Sequence, residues 1–389
     1  MFSRAWIARS RWVVLVGLLL ALAVGCTSLP LEASWASVTL LGNPAQVLVA
    51  YADRMVMVDP VDGSVAELRD ADGNVRLDEQ GNPRTWIVTN SSPKYTFYTR
   101  PIEMQEDTLL VAAYESRLLE VDTITARVLN SEGHVLAGHS IASPLQNGSL
   151  LYVPLSSNSL DALNLETFET VWSFKTERGV WATPLLHEGV LYVPSMDHTL
   201  YALNPTTGEE IWRLDLGGAI AATPVVANGH LYIGSFAKKV FKVSLEGSIV
   251  AQYETSEWIW GAPAVVEDQV YVADLAGYVY ALRDTGDAFS EIWSRQVALR
   301  GIRATPLVTD DYVIVGSRDH NVYWVSRESG EEVNKREMRG EVLADLLLLQ
   351  PGDGTETREP LVVVSTLARE ELLVAFTLVN GERRWVYGL

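Results

Sequence analysis

Residues 181–218, WATPLLHEGVLYVPSMDHTLYALNPTTGEEIWRLDLGG, decide the reading of this chain. Four short apolar or alternating runs follow one another here, divided by turn chemistry such as the Thr-Thr-Gly-Glu at 206–209. Runs this short, bounded by turns and alternating with a period of two, describe strands, and four in line describe a four-stranded antiparallel sheet. The unit then repeats, as AATPVVANGHLYIGSFAKKVFKVS at 221–244 and WGAPAVVEDQVYVADLAGYVYAL at 260–282. Proline keeps the register at Pro101, Pro144, Pro184, Pro224, Pro263 and Pro306, spaced 43, 40, 40, 39 and 43 residues apart. At the start of an inner strand, the missing proline N–H costs the ladder least.

Each proline is followed eight residues later by Leu109, Tyr152, Tyr192, Tyr232, Tyr271 or Ile314, and seventeen later by Leu118, Asp161, Tyr201, Phe241, Tyr280 or Tyr323. Two weaker units, 47–68 and 361–385, bring the number to eight. Polar insertions stand after the first unit (69–86) and inside the last (350–360). Equal β units with no helix and no linker between them indicate radial repetition, an all-β, eight-bladed β-propeller of four-stranded antiparallel blades. An open solenoid would leave two apolar end faces uncovered. Seven blades, with the first and last units sharing one, is the alternative for the ring, because the terminal units are the least regular.

Composition narrows the function. The 389 residues carry a net charge of −19, with 48% hydrophobic and 20% charged residues. No Lys/Arg cluster occurs beyond the first eleven residues, so neither nucleic acid nor an anionic lipid surface is an electrostatic partner. One cysteine, Cys26, permits no disulfide within the chain and no multi-cysteine metal site.

Residues 1–25 hold Arg4, Arg9 and Arg11, no acid, and an apolar run from Trp12 to Gly25 that is too short to span a bilayer, which reads as a secretory signal. Leu22-Ala-Val-Gly-Cys26 resembles the lipobox of bacterial lipoproteins, with Ala23 where the family usually has Leu. The resemblance implies cleavage before Cys26 and its acylation, and Thr27-Ser28 implies sorting to an outer membrane where the cell has one. A plain secretory signal or a short uncleaved anchor is the alternative. The expected organisation is a signal at 1–25, a tether at 26–33 and one propeller domain at 34–389. Without residues 1–25, 27 Lys+Arg face 49 Asp+Glu, a net charge of −22.

Ala202 to Trp212, ALNPTTGEEIW, resembles the tryptophan-docking motif of the pyrroloquinoline-quinone-type repeat. Ala162 to Trp172 and Ala375 to Trp385 keep its spacing, and Ala281 to Trp293 is two residues longer. The resemblance implies that Trp172, Trp212, Trp293 and Trp385 pack over neighbouring blades. The fifth and seventh units have Gln252 and Asn334 at that spacing, and the first two units keep little of the pattern. Two kinds of protein carry such repeats. Quinoprotein dehydrogenases hold a quinone with Ca²⁺ on Glu, Asn and Asp, often beside a vicinal disulfide that this chain cannot form. Envelope lipoproteins similar to the propeller subunit of the outer-membrane β-barrel assembly machinery bind protein partners and catalyse nothing. Signal, Cys26 and plain blades fit the second kind.

No phosphate-cradling, nucleophile-elbow or HExxH motif is present. His198 and His320 each follow Asp at a turn between second and third strands, where Asp-His suits the turn. Asp70, Asp72 and Asn74 alternate as calcium ligands do, but Val75 and Gly81 stand where a calcium loop needs Gly and Glu, so DADGN and DEQGN read as hairpin turns. Three residues before each marker proline stand Tyr98, Ile141, Trp181, Ala221, Trp260 and Arg303, equivalent positions that should ring one mouth of the central channel. Trp181, Trp260 and Arg303, with Trp258 and Arg300 nearby, form a candidate partner-binding rim, since Trp and Arg dominate binding hot spots; the alternative is that they plug the channel. The reading is a non-catalytic, cofactor-free, lipid-anchored extracytoplasmic scaffold, a monomer within an envelope complex. A quinone- or metal-dependent oxidoreductase and a glycan- or small-ligand-binding ectodomain are the other classes.

Overall fold

The computed structural model describes residues 36–42, 45–70, 73–89, 95–104 and 107–389. The signal, Cys26 and the tether lie outside these residues. Among the described residues there are eight antiparallel sheets, each built from a continuous stretch of chain, and no α-helix. Blade 4 is representative, with an inner strand Leu185–His187, then Val190–Pro194 and Thr199–Leu203, and an outer strand Glu210–Asp215. Each marker proline stands immediately before its inner strand, so the ladder loses no N–H at all.

The paired residues Tyr192, Ala202 and Trp212 share one side of blade 4 and pack against Leu231, Ile233, Phe241 and Val243 of blade 5. Tyr201 faces the other way and packs with Tyr152, Leu160 and Ala162 of blade 3. Alternation thus supplies both faces of every blade, and each fully buried large side chain contributes about 1.5–3 kcal/mol. In blade 2 a longer turn after the inner strand slips the register by one residue. Leu110, nine residues after Pro101, therefore faces blade 3, while Leu109 faces blade 1.

In blades 3, 4 and 6 the ladder shifts by one residue just before the outer-strand Trp, leaving Val171, Ile211 and Ile292 unpaired and exposed. Such a bulge re-aims the next side chain, and here it turns the indole toward the following blade. Trp172 Nε1 donates to Pro205 O (3.2 Å), Trp212 to Leu245 O (3.0 Å), Trp293 to Arg327 O (2.9 Å) and Trp385 to Pro60 O (2.9 Å). Each indole lies on a glycine of the receiving turn. At Gly247, with φ +87°, a Cβ would come within 2.7 Å of Trp212.

The bond from Trp385 to Pro60 joins the last blade to the first, so the ring closes with eight blades and not seven. Side chains of blades 1 and 8 mix in one core, including Val47, Val49, Leu349, Val363 and Trp385.

Four interfaces depart from the sequence reading. The insertion does not follow the first unit but lies inside blade 1, before its outer strand Ile87–Thr89. Trp86 closes the insertion and donates to Thr123 O (2.6 Å), a docking residue hidden from a ten-residue spacing rule. Between blades 2 and 3, His134 stacks on Phe168 with ring centroids 3.8 Å apart. In blade 5 a shorter turn puts Ala251, not Gln252, opposite Lys242, and the Lys242 side chain takes over the docking role by reaching Asp284 of blade 6. In blade 7 Asn334 does occupy the tryptophan place, while the indole has moved to the third strand, where Trp324 Nε1 donates to Leu378 O (3.0 Å).

Candidate functional site

The segments that lead into the inner strands converge on one mouth of the ring. There Tyr98, Ile141, Trp181, Ala221, Trp260 and Arg303 line a single cavity of about 510 Å³. One residue further on, the small side chains Ala142, Ala182, Ala222, Gly261 and Ala344 keep it open. A third ring places Arg100, Ser143, Thr183, Thr223, Thr305 and Asp345 around the wall. This last ring is stitched between blades: Thr183 Oγ1 donates to Ser143 O (2.9 Å), Thr223 Oγ1 to Thr183 O (2.8 Å), and Thr305 N to Asp345 Oδ1 (2.7 Å). Arg100 of blade 2 reaches Asp345 of blade 8 at 3.8 Å, past the inner strand of blade 1.

Around the mouth a continuous stack runs over blades 5 to 7. Trp258, 44% exposed, lies parallel to Phe236 at 4.9 Å; Phe236 meets Trp260 at 5.3 Å; and the Arg303 guanidinium sits over Trp260 at 3.6 Å. Burial pulls the Arg303 pKa down to about 10, with the like charge of Arg318 adding to it and Glu341 opposing. Glu341 is held by Arg300 (3.2 Å) and Arg318 (3.1 Å), and Leu299 beside them is 84% exposed. Trp258, Trp260, Arg300 and Arg303 thus come together, whereas Trp181 stands two blades from Trp260, with Ala221 between them. Trp260 and Arg303 serve partly as packing, while Trp258 and Arg300 face outward. The sequence reading missed Phe236, Leu299, Arg318 and Glu341; the first and third sit in turns between second and third strands, which touch the rim only once the sheets are folded.

His198 and His320 occupy turns with φ of 79° and 67°. Their neighbours carry the structure: Asp197 accepts from Tyr201 OH (2.9 Å) and Asp319 from Tyr323 OH (2.8 Å). Around DADGN and DEQGN the described residues pair as hairpin turns. Asn74 N and Asn82 N donate to Asp70 Oδ1 (2.9 Å) and Asp78 Oδ1 (2.8 Å), and the Asn82 N–H holds the Asp78 pKa below its usual range. Asp72 lies outside the described residues.

The channel does not fit the quinone-and-calcium set of the dehydrogenases. Among the described lining residues there is no Glu or Asn, and Asp345, the single carboxylate, already accepts a backbone N–H and faces Arg100.

Two solved structures share the architecture. The crystal structure of BamB from Moraxella catarrhalis is 17% identical with a TM-score of 0.61, over 86% of this chain and 97% of that one. The computationally designed Ika8 protein is 12% identical with a TM-score of 0.59, over 74% and 86%. At these identities the likeness is one of fold. No curated protein matches the chain. A family model described as outer membrane protein assembly factor BamB matches residues 156–297 and 276–388, more than half of the sequence, with the docking tryptophans of blades 3, 4, 6 and 8 inside the match. The chain belongs to the outer membrane protein assembly factor BamB family.

Proposed function

We propose that this protein is a non-catalytic scaffold of envelope assembly, anchored outside the cytoplasm through lipid on Cys26 and holding protein partners on the rim of its channel mouth. The observation that carries the reading is the Trp258–Phe236–Trp260–Arg303 stack running into exposed Leu299 and Arg300. Trp and Arg anchors are the residue types that dominate protein-binding hot spots. Membership of the family supports the assembly role, and the run from Arg4 to Cys26 supports the anchor.

Crosslinking in native membranes, followed by mass spectrometry, tests the scaffold. Partners should be captured by the natural chain and lost when Trp258, Leu299 and Arg300 are replaced together by Ala; capture of bystanders alone, or unchanged capture by the variant, would refute the reading. The anchor is tested separately by the mass of the mature N-terminus, where an unmodified thiol on Cys26 would exclude acylation.

A further inference from the structure

We infer that the channel is also a binding site for a neutral oligosaccharide, which stacks on Trp181 and is held by Arg100 and Asp345. This inference concerns the cavity that the mouth encloses and does not depend on the scaffold reading. The cavity of about 510 Å³ has the size of small-ligand sites. Its wall is amphipathic, lined by Tyr98, Trp181 and Trp260 together with hydroxyls and one ion pair.

The chemistry of the wall selects the ligand class. Among the described residues no other ring stacks on Trp181, which is 37% exposed. The electron-rich face of an indole attracts weakly positive C–H groups, and the apolar face of a pyranose presents such groups. Thr183 and Thr223 donate their hydroxyl hydrogens to backbone carbonyls, so toward the channel they offer lone pairs. Ser143 Oγ accepts the Arg100 N–H (2.8 Å) and keeps its own hydrogen to donate. Arg100 and Asp345 are each about half exposed, and at 3.8 Å their contact is longer than a hydrogen bond. A fork of donors beside a pair of acceptor oxygens matches two vicinal hydroxyls, each of which donates and accepts. An anion would meet Asp345 and a strongly acidic protein, and a cation would meet Arg100 and Arg303. A neutral polyhydroxyl ligand with one apolar face satisfies all of these groups.

Saturation-transfer NMR on the full chain, with chitotriose, cellotriose and maltotriose as probes, tests the site. At least one probe should bind saturably below about 10 mM, and Trp181→Ala and Asp345→Asn should each weaken it about tenfold. Leu77→Ala, in the exposed insertion of blade 1, should leave it unchanged, and circular dichroism of each variant should match the natural chain. Trp181 is exposed, so its variant folds and decides the matter even where Asp345→Asn does not. No transfer from any of the three sugars would overturn the inference, as would a Trp181→Ala affinity equal to that of Leu77→Ala. Loss of protein crosslinks in Trp181→Ala without any sugar binding would mark the mouth as a protein site only.

Discussion

Lys242 Nζ lies 2.8 Å from Asp284 Oδ2 across the boundary of blades 5 and 6, with the two side chains 5% and 6% exposed. Desolvating two charges costs several kcal/mol per ion, and further hydrogen bonds offset it here. Lys242 Nζ donates to Gly286 O (2.8 Å), while Asp284 accepts from Tyr232 OH and from Gly286 N (2.8 Å). The network stands where the repeat has no docking tryptophan.

Lys242→Met leaves Asp284 buried without its cation and should lower stability by about 3–5 kcal/mol at neutral pH. Burial pushes the Asp284 carboxyl up, but hydrogen bonds from Lys242 and Tyr232 hold it below its usual range. A carboxyl lowered in the folded state stabilises the fold above its unfolded value of about 4, and that contribution is lost as pH falls through the lowered value. The gap in guanidinium midpoint between the natural chain and Lys242→Met should therefore narrow below about pH 4. A gap that stays constant into stronger acid would contradict the assignment.

Trp86 and Trp212 make the same bond to the following blade, so Trp86→Ala and Trp212→Ala should each destabilise by about 3–5 kcal/mol. Gly247→Ala should also destabilise, by about 1–3 kcal/mol, because its φ is positive and its Cβ would press on Trp212. Thermal melts of the three variants check both statements, and a Trp86→Ala variant as stable as the natural chain would remove Trp86 from the docking set.

The rim residues should behave in the opposite way. Trp258→Ala and Arg300→Ala truncate side chains that are about half exposed, so each should change stability by no more than about 1 kcal/mol. Partner capture should nonetheless fall in both; raising salt should weaken capture further in the natural chain and in Trp258→Ala, and less in Arg300→Ala, which has lost the charge. Melts run beside crosslinking yields separate the two effects.

Tyr201 and Tyr280 are each pushed up to about 12 by burial, with hydrogen bonds to Asp197 and Asp274 adding to the shift. A phenol raised in the folded state stabilises the fold below its unfolded value of about 10, and this is lost as pH rises toward 12. Spectrophotometric titration should show a late class of tyrosines ionising near pH 12, and stability should decline between about pH 10 and 12. Asp197→Asn should bring the Tyr201 transition earlier, and an unchanged titration would contradict the bond.

Repetition made most of the fold legible from sequence. Proline spacing, buried Tyr at fixed offsets and the run ALNPTTGEEIW report local geometry that every blade must satisfy, and local geometry is written in local sequence. The failures occurred where a loop changed length. The insertion before Trp86 broke a spacing rule without breaking the contact, one residue fewer in a turn exchanged Gln252 for Ala251, and one residue more in blade 2 exchanged Leu109 for Leu110. Spacing counts residues along the chain, whereas packing depends on which side of a strand each residue faces.

The mouth divides in the same way. Trp181, Trp260 and Arg303 were placed on one ring by register alone, because equivalent positions of a repeat occupy equivalent places around its axis. The pairing of Arg100 with Asp345, the stack of Phe236 between Trp258 and Trp260, and the replacement of a tryptophan by Lys242 and Asp284 belong to the tertiary structure. Each joins residues of different blades, held together by ring closure and not by sequence distance. The chain by itself determined the repeating sheet, through alternation and turn chemistry; only the closed ring decided which side chains meet across it.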